Sequence, residues 1–132
     1  MGFFSKLFGK GDDSDTIDEA PVSRPINIEA RRSQLTELSA ALSALRLAML
    51  EEGNPVNNPG WMGRVRDFAG ARHDADQIAK ASSFTHDQLN EVLCSVRPLF
   101  RGEAPPEYQH LQQENQRVVE AIEALYAPAD GE

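Results

Sequence analysis

Leu35, Leu38, Leu42, Leu45 and Met49 recur at steps of three and four residues. That spacing places all five on one face of an α-helix. A strand could not use it, because its side chains alternate every second residue. Ile28 lies one heptad before Leu35, and Leu47 and Leu50 fall off the stripe. Ala41, Ala44 and Ala48 add small surfaces that let a neighbour approach closely. A helix apolar on more than one side reads as the centre of a bundle. Gly53 is its expected stop.

Three further segments repeat the pattern. After the turn chemistry of "NPVNNPGW", a second helix is expected from about Trp61 to Ala81, burying Trp61, Val65, Phe68, Ala75 and Ile78. Gly63 and Gly70 each cost about 1 kcal/mol relative to Ala inside a helix, so its first half is expected to be irregular or closely packed. The third helix opens at Thr85, with Gln88 three residues on as a capping box and Phe84 and Leu89 as a hydrophobic staple. Its stripe is Leu89, Val92, Leu93, Val96 and Phe100, kinked or ended by Pro98 and closed by Gly102. "EAPPEY" opens the last helix with Pro106 in the first turn. There Tyr108, Leu111, Asn115, Val118, Ile122 and Leu125 form a second heptad seam.

The expected architecture is all-α: a small three- or four-helix bundle over residues 27–127 with a flexible N-terminal arm, and a disordered tail at 128–132. Asn115 is the polar member of the last seam. Such a residue sets register or oligomer state, or else marks the wet end of the seam. The 108–125 seam is accordingly the expected surface for a homo-oligomer.

Charge and composition narrow the partners. A net charge of −8 over 132 residues argues against nucleic acid, whose phosphates require a basic patch. Arg64, Arg66 and Arg72 form a small cluster that reads as a solvated helix face. The single Cys94 excludes an internal disulfide and, in the apolar setting "EVLCSVRPLF", is expected in the core. No apolar run reaches the ~20 residues of a membrane-spanning helix, and the N-terminus does not read as a secretory signal, so the cytoplasm is the expected compartment. Ten Arg against three Lys, with many Ala, suit a bacterial GC-rich genome.

The polar residues do not assemble a recognisable catalytic set, and no cofactor is implied. His73-Asp74 and His86-Asp87 resemble the HD pair of metal-dependent phosphohydrolases, but no upstream His precedes His73. Glu107-x-x-His110 has the spacing of di-iron helical carboxylate proteins, which need a second such pair. The residues from which a metal-dependent helical enzyme could draw ligands are His73, Asp76, His86 and His110, with Glu37 and Glu91 as candidate carboxylates. Trp61-Met62-Gly63 and Tyr126-x-x-x-Asp130 resemble the markers of WXG-type helical proteins exported by type VII secretion systems. In that family a W-x-G turn joins two helices and the Y-x-x-x-D/E signal follows. The resemblance implies a secreted helical hairpin. The breaks at Ser82-Ser83, Pro98 and Pro105-Pro106 depart from it.

The first eleven residues, "MGFFSKLFGKG", hold half of the six Phe. On a helix Phe3, Phe4, Leu7 and Phe8 share an arc of about 140°, flanked by Lys6 and Lys10. A segment this short is not helical alone in water and is expected to fold on what it binds. It resembles, in kind, the membrane-targeting N-terminus of the signal-recognition-particle receptor. Residues 12–26 carry five acids and two Pro, and read as an acidic disordered tether. The expected function is that of a non-enzymatic adaptor, attached through residues 2–10 to a membrane surface, peripherally at its inner face, or to a protein partner.

Overall fold

The computed structural model describes residues 25–132. Four α-helices run in order: α1 Ile28–Met49, α2 Pro59–Lys80, α3 His86–Ser95 and α4 Gln112–Tyr126. A 3-10 segment, Pro106–Leu111, leads into α4, and no strand occurs among the described residues. The fold is an all-α bundle with α1 at its centre, packed against both α2 and α4. Leu35, Leu38, Leu42, Leu45 and Met49 are all fully buried, while Leu47 is 57% exposed, as a stripe on one side of α1 requires.

The helix ends show why the chain reverses where it does. Asn27 caps α1 by accepting from the Ala30 amide, and Asn58 caps α2 by accepting from the Trp61 amide, with Pro59 in the first turn. Two side chains join the backbone in satisfying the last carbonyls of α1. Asn54 Nδ2 donates to the Ala48 carbonyl at 2.8 Å, and Trp61 Nε1 donates to the Met49 carbonyl at 3.0 Å. Gly53 takes φ 98° in the turn that follows, a conformation that favours glycine.

At the opposite end, two neighbouring arginines serve both flanking helices. Arg32 donates to the Ala79 and Ala81 carbonyls at 2.8 and 2.7 Å, closing the end of α2. Arg31 donates to the Leu125 carbonyl at 3.1 Å, closing the end of α4. Because α2 and α4 run antiparallel to α1, their partially negative C-termini lie beside its first turn, where a guanidinium is best placed.

Several elements differ from the sequence reading. Residues 128–132 are not a loose tail. The Glu132 side chain accepts from the Asn27 and Ala129 amides at 2.9 and 3.0 Å and forms an ion pair with Arg31, both side chains only 3% exposed. A terminal carboxylate-bearing residue looks unfixed in sequence because its guanidinium partner stands a hundred positions away. Helix α3 stops at Ser95 rather than carrying its stripe to Phe100, since the residue before Pro98 is steered out of the α region. The last helix opens as a 3-10 turn with Tyr108 at φ −122°, ψ 18°, because the Pro105-Pro106 pair delays regular α-bonding.

The start of α2 is regular despite its glycines, and no close neighbour explains them. A Cβ at Gly63 would meet only the Arg66 side chain at 3.8 Å, and one at Gly70 would meet nothing within 4 Å. Gly70→Ala is therefore expected to stabilise the bundle by about 0.5–1 kcal/mol, read as an upward shift of the denaturant midpoint at unchanged m-value.

The α3 capping box is complete. The Gln88 amide donates to Thr85 Oγ1 at 3.2 Å and the Thr85 amide donates to Gln88 Oε1 at 2.9 Å, with Phe84 and Leu89 both buried beside it. Thr85→Ala should cost about 1 kcal/mol in the same assay.

Candidate functional site

The residues expected to dock, Phe3, Phe4, Leu7 and Phe8, lie outside the described residues. Within the bundle, most of the polar positions singled out from sequence are engaged in local structure. Asn115 is fully buried. Its Oδ1 accepts from the Leu99 and Phe100 amides at 2.7 and 3.1 Å, and its Nδ2 donates to the Phe100 carbonyl at 2.9 Å. The side chain thus stands in for a backbone segment, pinning the α3–α4 connection onto α4. Asn115 is neither at a wet end of its seam nor facing outward for a second copy. Seam residues Leu111, Val118 and Leu125 are likewise buried in the chain's own core.

The metal-ligand candidates are dispersed. His73 is exposed on α2, and Asp76 forms an i, i+4 pair with Arg72 at 3.8 Å. His86 Nε2 donates to the Pro25 carbonyl at 3.0 Å, and His110 Nε2 donates to Asn54 Oδ1 at 2.8 Å. Glu37 makes a two-pronged contact with Arg117, and these hydrogen bonds hold its carboxyl below its ordinary pKa. Glu91 is exposed on α3. Among the described residues, no three His, Cys, Asp or Glu side chains converge as a metal centre would need.

Trp61 belongs to the first turn of α2 rather than to the turn between helices. It stacks on Tyr108 with ring centroids 5.1 Å apart, and Tyr108 stacks on Phe100 at 5.8 Å. This three-ring ladder closes the end of the bundle where the α1–α2 turn meets the 3-10 segment. Tyr126, the last residue of α4, is 64% exposed, and the Asp130 carbonyl accepts from Asn27 Nδ2 at 3.0 Å.

The feature that sequence reasoning missed lies between α2 and α3. A groove of ≈ 440 Å³ is lined by Arg64, Arg66, Phe68, Gly70, Cys94 and Arg97, with Asp67 and Asp74 on its walls. Cys94 is exposed there rather than buried in the core. The inward line of α3 is Leu89, Val92 and Leu93, and a residue one step past Leu93 turns outward by about 100°. Arg64 is fixed by three contacts: Nη2 donates to the Pro98 carbonyl at 2.8 Å, Nη1 lies 3.6 Å from Asp67, and the guanidinium lies 4.9 Å from the Phe68 ring centre. Arg66 and Arg97 are exposed and have no ion-pair partner within 4 Å among the described residues. Periodicity within one helix could mark Arg64 and Arg66, but joining Arg97 to them required the α2–α3 packing.

Compared with protein-family models, with curated proteins and with solved structures, the chain matches none. Among the described residues, no helix is long and apolar enough to cross a membrane.

Proposed function

We propose that this chain is a non-enzymatic interaction protein, a helical bundle carried to a membrane surface by the aromatic amphipathic segment at residues 2–10. Docking of the same segment into a hydrophobic groove of a larger protein complex is the variant of this reading. The observation that carries it is the sequence spacing of Phe3, Phe4, Leu7 and Phe8, which a helix would bring to one arc, directly ahead of five acids between residues 12 and 19. Four large apolar side chains, each contributing about 1.5–3 kcal/mol on full burial, give reversible attachment once ordering costs are subtracted. The bundle supports a carried role, since Asn54, His86, His110, Asn115, Arg31 and Arg32 all serve caps and clips.

An environment-sensitive dye tests this at residue level. Attached at Gly2→Cys in a Cys94→Ser chain, it should brighten and shift to the blue on addition of vesicles containing anionic lipid. The same dye at Leu47→Cys, on the exposed side of α1, should not respond. A silent dye at position 2 contradicts the lipid reading and leaves a protein groove as the surface to seek.

A further inference from the structure

We infer that the arginine groove between α2 and α3 is the docking site of the chain's own acidic segment, residues 12–19. Three observations converge on this occupant. The first is charge. Asp12, Asp13, Asp15, Asp18 and Glu19 place five carboxylates in eight residues, and the groove presents Arg66 and Arg97 beside the anchored Arg64. Asp67 is already shared with Arg64, and Asp74 stands where the cationic half of the groove ends.

The second is reach. His86, the first residue of α3, holds the Pro25 carbonyl, so the chain enters the bundle at the start of α3. The ten residues of α3 rise about 15 Å to the arginine end of the groove. Five residues lie between Glu19 and Pro25, and the six steps of extended chain span about 20 Å. The first acid can therefore arrive where Arg97 stands, and the others follow with slack.

The third is Gly70. A glycine in mid-helix disfavours the helix, yet no part of the bundle approaches its missing Cβ. Its bare backbone faces the groove, where an incoming chain can lie close.

Exposed ion pairs are individually weak, so a free acidic peptide gains little from this groove. A covalently attached segment has a high effective concentration and needs only a few such pairs. Docking shortens the free length between bundle and arm, and salt or a competing polyanion releases it. This regulation of reach holds whether residues 2–10 meet lipid or protein.

Cys94 provides the test, being the only cysteine of the chain, exposed, and in the groove itself. With a nitroxide on Cys94 of the full chain at about 20 mM salt, amide signals of residues 12–19 should lose most of their intensity. They should recover in Arg66→Glu/Arg97→Glu and at about 0.5 M salt, while amide shifts of α1 and α4 stay in place as the folding control. In unlabelled protein, the side-chain Nε–H signals of Arg66 and Arg97 should move when the five acids are replaced by Asn and Gln. Broadening that ignores the charge reversal, or arginine signals that ignore the neutralised acids, would overturn the inference. So would broadening seen only when spin-labelled chains are mixed with isotope-labelled ones, which would assign the groove to a second copy.

Discussion

Asn115→Leu is expected to destabilise the bundle by about 3–5 kcal/mol although it adds an apolar residue to an apolar seam. The side chain satisfies three backbone groups at once: the Leu99 and Phe100 amides and the Phe100 carbonyl. Leucine fills the space but leaves those groups without partners, and each buried orphan costs about 1–3 kcal/mol. Asn115→Asp separates geometry from polarity. It keeps an acceptor for the two amides and loses the donor to Phe100, so it should cost less at acid pH, where the carboxyl is neutral and can donate. Chemical denaturation followed by far-ultraviolet circular dichroism measures both. A Leu variant as stable as the parent would show that the α3–α4 connection does not depend on the clip. Because Asn115 faces inward, the Leu variant should sediment as the parent chain does.

The second large effect is expected at the other end of the bundle, in acid. Glu132 has its pKa lowered from 4.5 to about 2, first by the Arg31 hydrogen bond, and further by the Asn27 and Ala129 amides and the Arg31 charge, against an opposing desolvation. A carboxyl whose folded pKa is depressed contributes stability that is fully present above its unfolded pKa. That contribution is lost as pH falls toward the folded value, here between 4.5 and about 2. The shift corresponds to about 3 kcal/mol, reduced to about 2 kcal/mol because Glu132 as a whole residue is only half-buried, at the end of the bundle. Glu132→Gln should therefore lose about 2 kcal/mol at neutral pH and show a flatter stability curve through that window. Arg31→Ala should cost more, about 3 kcal/mol, since it strands the carboxylate and also frees the Leu125 carbonyl at the end of α4. Urea midpoints measured from pH 2 to 7 decide this. Parallel curves for parent and Glu132→Gln would contradict the assignment.

These two positions mark where local sequence stops being sufficient. The α1 stripe, the Thr85–Gln88 box and the Phe84–Leu89 staple are legible because every partner lies within a few residues, where helix geometry fixes the spacing. Asn115 was conspicuous as a polar interruption, but its partners come from a non-helical stretch about fifteen residues earlier, which periodicity does not describe. Arg31 and Glu132 are separated by 101 positions, so their pairing follows only from the antiparallel return of α4 onto α1. Cys94 reads as a core residue because the apolar residues of "EVLCSVRPLF" surround it in sequence, while the turn of α3 carries it outward. The groove was half legible. Arg64 and Arg66 belong to one helix, whereas Arg97 and the vacant side of Gly70 acquire meaning only when α3 is laid against α2.

Attachment through the aromatic segment is tested most directly by vesicle co-sedimentation of the intact chain, the Phe3→Ala/Phe4→Ala variant and a chain starting at Asp12. Vesicles with and without anionic lipid are compared at low and moderate salt. The intact chain should pellet with the vesicles, while the double variant and the shortened chain stay in the supernatant. If all three pellet alike, the bundle binds lipid and the segment is not the anchor. If none does, the membrane reading is wrong.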